Sequence, residues 1–172
     1  LQIMSILEKI KKGTARFAVL VDPDKNSKSS LTILAEVSEK NGVDMIFVGG
    51  SILMKPIDET ILTLKKNCSL PVLLFPGNAL QISSHADGIL FISLISGRNP
   101  EFLIGHHVIA APTLKNSNLE VIPTGYLLIE NGKLTSVEYM SNTKPIPANK
   151  PEIAIATAQA GELLGLKAIY LE

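Results

Sequence analysis

Phe17 to Lys25 reads FAVLVDPDK: five apolar residues in succession, then two carboxylates, a proline and a lysine. A strand that is apolar on both faces belongs to a parallel sheet covered by helices, and ligands of such sheets gather beyond the carboxyl ends of the strands. This reading makes FAVLV a buried first strand and sets Asp22 and Asp24 at the mouth of a site.

The pattern then repeats. A helical stretch from about Ser29 to Asn41 brings Leu31, Leu34, Ala35 and Val37/Ser38 near one face and stops at Gly42. DMIFVGGS supplies the second strand, DETILTLKKN a helix, PVLLFPGN the third strand and GILFISLISGRN the fourth. A helix from about Pro100 to Lys115, a strand LEVIPTG, a helix from about Pro151 to Leu164 and a last strand AIYLE complete the series. Six strands alternating with helices predict a parallel sheet of right-handed crossover units. Upstream, LQIMSILEKIKKG reads as a short amphipathic helix ending at Gly13 rather than as a signal peptide.

Two connections break the rhythm. NALQISSHAD, between Gly77 and Gly88, is too short for a crossover helix with its two loops, so one helix of the ring is expected to be reduced or missing. The segment from Tyr126 to Lys150 is too long. Its Asn131-Gly132 pair predicts a hairpin turn between strand-like residues, followed by a proline-rich loop, where a lid or pocket wall would be built.

Composition narrows the function classes. The 172 residues are 46% hydrophobic and 19% charged, which suits one well-buried globular domain. Sixteen basic residues balance sixteen acidic ones, so no overall field draws the protein to nucleic acid or an anionic membrane. The apolar runs are too short for a transmembrane segment, and Cys68 is the lone cysteine. A soluble, cytoplasmic protein is the simplest expectation.

The strand ends carry DPDK, GGS, PGN, SGRN, PTG and YLE. Gly49 and Gly50 can aim successive backbone N–H groups at an anion, and a carboxylate beside a hydroxyl offers hard oxygen ligands for Mg²⁺ bound together with a phosphate. GGS alone equally marks a tight turn. Arg98 can grip diphosphate oxygens or pair with Glu101, and Asp24 and Lys25 can touch diphosphate or cap the following turn. His106 and His107 are adjacent on a helix, about a hundred degrees apart, which is the wrong spacing for a metal pair. His85 reads as a solvated loop residue and Cys68 as a packed thiol.

FAVLVDPDK, VDMIFVGGS, SLISGRNPEFLIGHHV, EVIPTGYLLIENG and KAIYLE together resemble the geranylgeranylglyceryl phosphate synthase family, prenyltransferases of ether-lipid and phospholipid biosynthesis. The resemblance runs over nearly the whole chain. It implies an α/β fold of the modified TIM (β/α)₈ barrel type lacking one ring helix, in agreement with the short NALQISSHAD connection. It implies Mg²⁺ as cofactor and a geranylgeranyl-type prenyl diphosphate and sn-glycerol 1-phosphate as substrates, joined through the glycerol 3-hydroxyl. On the family's pattern Asp22 and Ser51 hold the metal. The strand-end reading adds Gly49, Gly50, Arg98 and Lys25 as candidates to hold the donor's diphosphate, while on the family's pattern Tyr170 and Glu172 lie at the glycerol phosphate, with Glu172 as base. Metal and base would come from opposite sides of the barrel mouth.

Two other classes stay open at this stage: a different phosphate-binding barrel enzyme, of isomerase or aldolase type, and a non-catalytic barrel relative. The first expects a histidine or lysine at a strand end, where only Lys25 offers itself. Apolar outer helix faces suggest a homo-oligomer. A (β/α)₈ barrel takes about 250 residues, so residues 1–172 are expected to form one barrel domain, truncated after the sixth of eight strands.

Overall fold

The computed structural model describes residues 4–12 and 15–172. Twelve regular elements follow one another in the described chain: α1 Ile6–Lys11, β1 Ala18–Val21, α2 Lys28–Lys40, β2 Met45–Val48, α3 Ile57–Asn67, β3 Val72–Leu74, β4 Gly88–Ser93, α4 His106–Lys115, β5 Glu120–Leu127, α5 Ser136–Ser141, α6 Pro151–Leu163 and β6 Ala168–Leu171. The six-stranded sheet keeps chain order, β1-β2-β3-β4-β5-β6. This is an α/β architecture in which strands and helices alternate along the chain. The connection from β3 to β4 contains only turns, so the ring helix expected to be missing there is absent. The α1 stop at Gly13 lies outside the described residues; α1 itself ends at Lys11.

The chain forms two compact units, Leu1–Ile89 with Asn116–Val121 and Leu90–Lys115 with Ile122–Glu172. In the first, β1 pairs with β2 in parallel, Val21 opposite Val48, and β2 with β3, Val48 opposite Leu74. The core is built of Val21, Ile46, Val48, Val72, Leu73 and Leu74 from the strands against Leu31, Ala35, Ile61 and Leu64 from α2 and α3. Ser27 caps α2, its hydroxyl accepting the Ser30 amide, and Gly42 leaves the helix at φ +74°, a conformation glycine adopts without steric cost. The carboxylate of Glu120 receives the amides of Ile6 and Leu7, which ties the first turn of α1 to the start of β5.

In the second unit β5 and β6 pair in parallel, Tyr126 opposite Tyr170 and Leu127 opposite Leu171. Two expectations are corrected in detail. The predicted hairpin around Asn131-Gly132 does not form. Gly132 takes φ +78°, but the chain then enters α5, because the Thr135 hydroxyl accepts the Glu138 amide and makes Thr135 an N-cap. The helix predicted from Pro100 begins as a wide π turn, Glu101–Gly105, before continuing as α4.

The edge strands differ from the fully buried first strand that FAVLV suggested. On β1, Leu20 is 52% exposed and neighbouring Val21 is 1% exposed, and on β6 Leu171 is 63% exposed. Val37, placed near the α2 core face by periodicity, also points outward while Ser38 is buried.

Candidate active site

Each strand end becomes a loop that another loop fastens. Beyond β1, the amide of Asp24 donates to Asp22 Oδ1 at 3.0 Å, which caps a single 3₁₀ turn and orients the carboxylate. Lys25 Nζ lies 3.1 Å from Asp22 Oδ2 as an exposed ion pair. Beyond β2, Gly49 passes so close to the third strand end that a Cβ on it would sit 1.9 Å from the Phe75 carbonyl oxygen. Gly50 lies against Asp22, where a Cβ would be 3.5 Å from the carboxyl carbon. The structure thus brings Asp22, Lys25, Gly49 and Gly50 together, with Ser51 next in the chain.

Asp24 is turned away from that cluster. Its carboxylate accepts the amides of Met54 and Lys55, both at 2.9 Å, and the Met54 hydrogen bond foremost holds its pKa below the ordinary carboxylate range. The turn is capped by Asp22 rather than Asp24, whose carboxylate instead fastens the loop after the second strand, a role the sequence did not suggest. The third strand end is joined through Gln81, 4% exposed, whose Nε2 donates to the Gly50 carbonyl at 2.7 Å and whose Oε1 accepts the Gly77 amide.

In the second unit, Tyr126 donates its hydroxyl to Glu172 Oε2 in a short hydrogen bond. Tyr126 is 3% exposed, and burial, reinforced by this carboxylate, pushes its phenol well above its ordinary pKa, so it remains a donor. The Tyr126 and Tyr170 rings stack at 5.0 Å, tilted by 34°, and burial followed by the charge of Glu172 also raises Tyr170. Tyr126 lies inside the stretch EVIPTGYLLIENG, yet the sequence reading did not single it out. No signal along the segment marks it, because only the parallel register sets it opposite Tyr170.

Arg98 folds back, its Nη1 reaching the carbonyls of Ile95, Ser96 and Gly97 at 3.3, 3.4 and 2.7 Å, and it forms no ion pair with Glu101. The long segment after β5 is a pinned wall: Asn99 Nδ2 donates to the Ser141 carbonyl at 2.6 Å, and Gly97 packs on the Thr143 side chain. Leu128, Glu130, Lys133, Thr135, Glu138 and Lys144 line a cavity of about 420 Å³ within that wall. His107 is buried, with Nε2 3.0 Å from Ser93 Oγ and its ring edge-on to Phe91, which is a packing role. Cys68 is half-buried, and burial raises its thiol pKa, as befits a packed, unreactive group.

No three His, Cys, Asp or Glu side chains converge as a metal cluster among the described residues. The donor chemistry still fits Mg²⁺, since one carboxylate, Asp22, beside the loop that carries the Ser51 hydroxyl is the oxygen set expected of an ion held mostly by substrate phosphates.

A family model described as PcrB matches residues 8–172. The chain belongs to the PcrB family. It is 48% identical, over 98% of its length and 67% of the relative's, to a geranylgeranylglyceryl phosphate synthase of Chitinophaga pinensis. It is 50% identical, over 98% of its length and 69% of the relative's, to the enzyme of the same name from Spirosoma linguale. Among solved structures, the wild-type GGGPS of Thermoplasma volcanium superposes with a TM-score of 0.92 at 34% identity, over 98% of this chain and 69% of that one. The (S)-3-O-geranylgeranylglyceryl phosphate synthase of Thermoplasma acidophilum, in complex with its substrate sn-glycerol-1-phosphate, gives 0.91 at 32% identity, over 99% and 70%. The chain therefore spans about two thirds of the length of these PcrB-family relatives.

Proposed function

We propose that the protein is a prenyltransferase that joins a geranylgeranyl-type prenyl diphosphate to the 3-hydroxyl of sn-glycerol 1-phosphate, forming the first ether bond of an ether lipid. The observation that carries this reading is the 48% to 50% identity, over 98% of the chain, to two relatives that bear the name geranylgeranylglyceryl phosphate synthase. A second support is the arrangement of Tyr126, Tyr170 and Glu172, which offers a carboxylate oriented by a phenol beside two aromatic faces.

The reaction breaks the allylic carbon–oxygen bond of the donor, the electron pair leaving with diphosphate, and forms a bond from the glycerol oxygen to that carbon. The glycerol hydroxyl loses its proton as it attacks. Glu172 is the base assigned to that proton: Tyr126 occupies Oε2 and sets the carboxylate plane, and Oε1 takes the proton. Tyr170 orients the acceptor, and its ring face stabilises positive charge at the allylic carbon. Asp22 and Ser51 are assigned the metal, and the Gly49 and Gly50 backbone, Lys25 and Arg98 the diphosphate. Mg²⁺, when bound, stabilises the negative charge of the departing diphosphate. Lys25, whose Nζ lies 3.1 Å from Asp22 Oδ2, would stand beside the same anion.

A cytoplasmic location and homo-oligomeric assembly belong to this reading. The unpaired Cys68 thiol agrees with the first, and the exposed Ile104, Val108 and Ile109 side chains agree with the second. No helix among the described residues is long and apolar enough to cross a membrane.

Incubating the full-length protein with labelled sn-glycerol 1-phosphate and geranylgeranyl diphosphate tests the proposal. A labelled ether product that disappears when Mg²⁺ is chelated is expected. Absence of product across a panel of prenyl chain lengths overturns it.

A further inference from the structure

The loops that carry Asp22 and Ser51 hold each other by a reciprocal clamp outside the assigned site. Asp24, two residues after Asp22, accepts the amides of Met54 and Lys55 on the loop that follows Ser51. Lys55 reaches back with Nζ to the carbonyls of Asn26, Pro23 and Asp24 at 2.8, 3.2 and 3.2 Å. An ammonium has three donors arranged about a point, and here three carbonyls meet it. The clamp also reaches the assigned metal ligand directly, because the amide of the same Asp24 orients Asp22 Oδ1. Asn26 Nδ2 adds a hydrogen bond to the Asp22 carbonyl at 2.9 Å.

We infer that Asp24 and Lys55 are positioning residues for diphosphate binding: by fastening the first strand-end loop to the second, they set the spacing between the Asp22 carboxylate and the Ser51 hydroxyl. The inference rests on the assignment of that pair to the metal and diphosphate proposed above. Sites of this kind lose efficiency with displacements of about 1 Å, so a fastener that touches no substrate still controls binding. The clamp lies at the surface, with Lys55 and Met54 exposed, and its removal leaves the buried β1 to β3 core untouched.

The variants Asp24→Ala and Lys55→Met, each in the full-length protein, separate this from simple attraction of charge. If only charge near the site mattered, Asp24→Ala would tighten diphosphate binding by removing a negative group. A clamp predicts weaker binding in both variants. Calorimetric titration with geranylgeranyl diphosphate in the presence of Mg²⁺ is expected to show roughly tenfold weaker binding in each, with the double variant no worse than the weaker single. Affinity for sn-glycerol 1-phosphate is expected to stay within about twofold, taking ordinary surface substitutions as the standard. Hydrogen exchange is expected to show protection lost at the amides of residues 54 and 55 and retained in β1 and β2. Unchanged diphosphate affinity once those amides have lost protection overturns the inference. So does weakening that extends equally to both substrates together with lost protection in β1 and β2. If the unaltered protein shows no Mg²⁺-dependent diphosphate binding, the metal assignment itself fails and takes the inference with it.

Discussion

The phenol of Tyr126 on β5 donates to the carboxylate of Glu172, which follows β6, and the two strands pair in parallel so that Tyr126 faces Tyr170. Glu172, the proposed base, and the phenol that orients its carboxylate are thereby fixed relative to each other by the sheet ladder.

Tyr126→Phe keeps the ring stacked on Tyr170 and removes only the donor. Hydrogen bonds to a charged group contribute about 1.5–3 kcal/mol, so the single-turnover rate is expected to fall roughly 10- to 100-fold with substrate binding little changed. An unaltered rate would show that Glu172 needs no help from this phenol.

Glu172→Gln tests the base itself. The isosteric amide preserves shape but cannot take a proton, and the chemical step is expected to slow by about 10² to 10⁴ with both substrates still bound. Rapid-quench measurement under single-turnover conditions checks this; a normal rate removes Glu172 from the mechanism.

Asp22→Ala removes the carboxylate that Lys25 pairs with. Mg²⁺-dependent binding of the prenyl diphosphate is expected to weaken more than binding of sn-glycerol 1-phosphate. Calorimetry with each ligand alone checks the asymmetry, and equal losses for both would argue against the metal assignment.

Gly49→Ala would place a methyl 1.9 Å from the Phe75 carbonyl oxygen, which belongs to the backbone and cannot rotate away. Relieving such overlap costs about 1–3 kcal/mol, so thermal denaturation is expected at a lower Tm by several degrees. Because the strain lies between two strand-end loops, diphosphate affinity is expected to fall with it.

His107 carries a pH dependence of stability. Burial foremost lowers its pKa below the ordinary histidine value of 6.5, so the unfolded chain takes up its proton first as pH falls. Stability is therefore unaffected by His107 above about pH 6.5 and is lost progressively below it, until the folded pKa is passed. Denaturant melts between pH 7.5 and 5 are expected to show a decline that is shallower in His107→Gln. Identical slopes in the two proteins would remove His107 as a source.

FAVLVDPDK, the alternation of apolar runs with helical periods and the short NALQISSHAD link suffice to predict a parallel α/β chain missing a ring helix, because such signals depend on spacing along one segment. The strand-end positions of Asp22, Gly49, Gly50 and Ser51 were legible for the same reason: they come just after apolar strands. Other features arise from meetings between distant segments. Tyr126 acquires its role only when β5 and β6 align, and Asp24 and Lys55, thirty-one residues apart, become a clamp only when two loops are brought side by side. The hairpin predicted at Asn131-Gly132 gave way to α5 because the Thr135 cap favours a helix over a turn pair that has no second strand to join. Periodicity along a segment tells which face a residue takes, and only packing between segments decides which partner that face will meet.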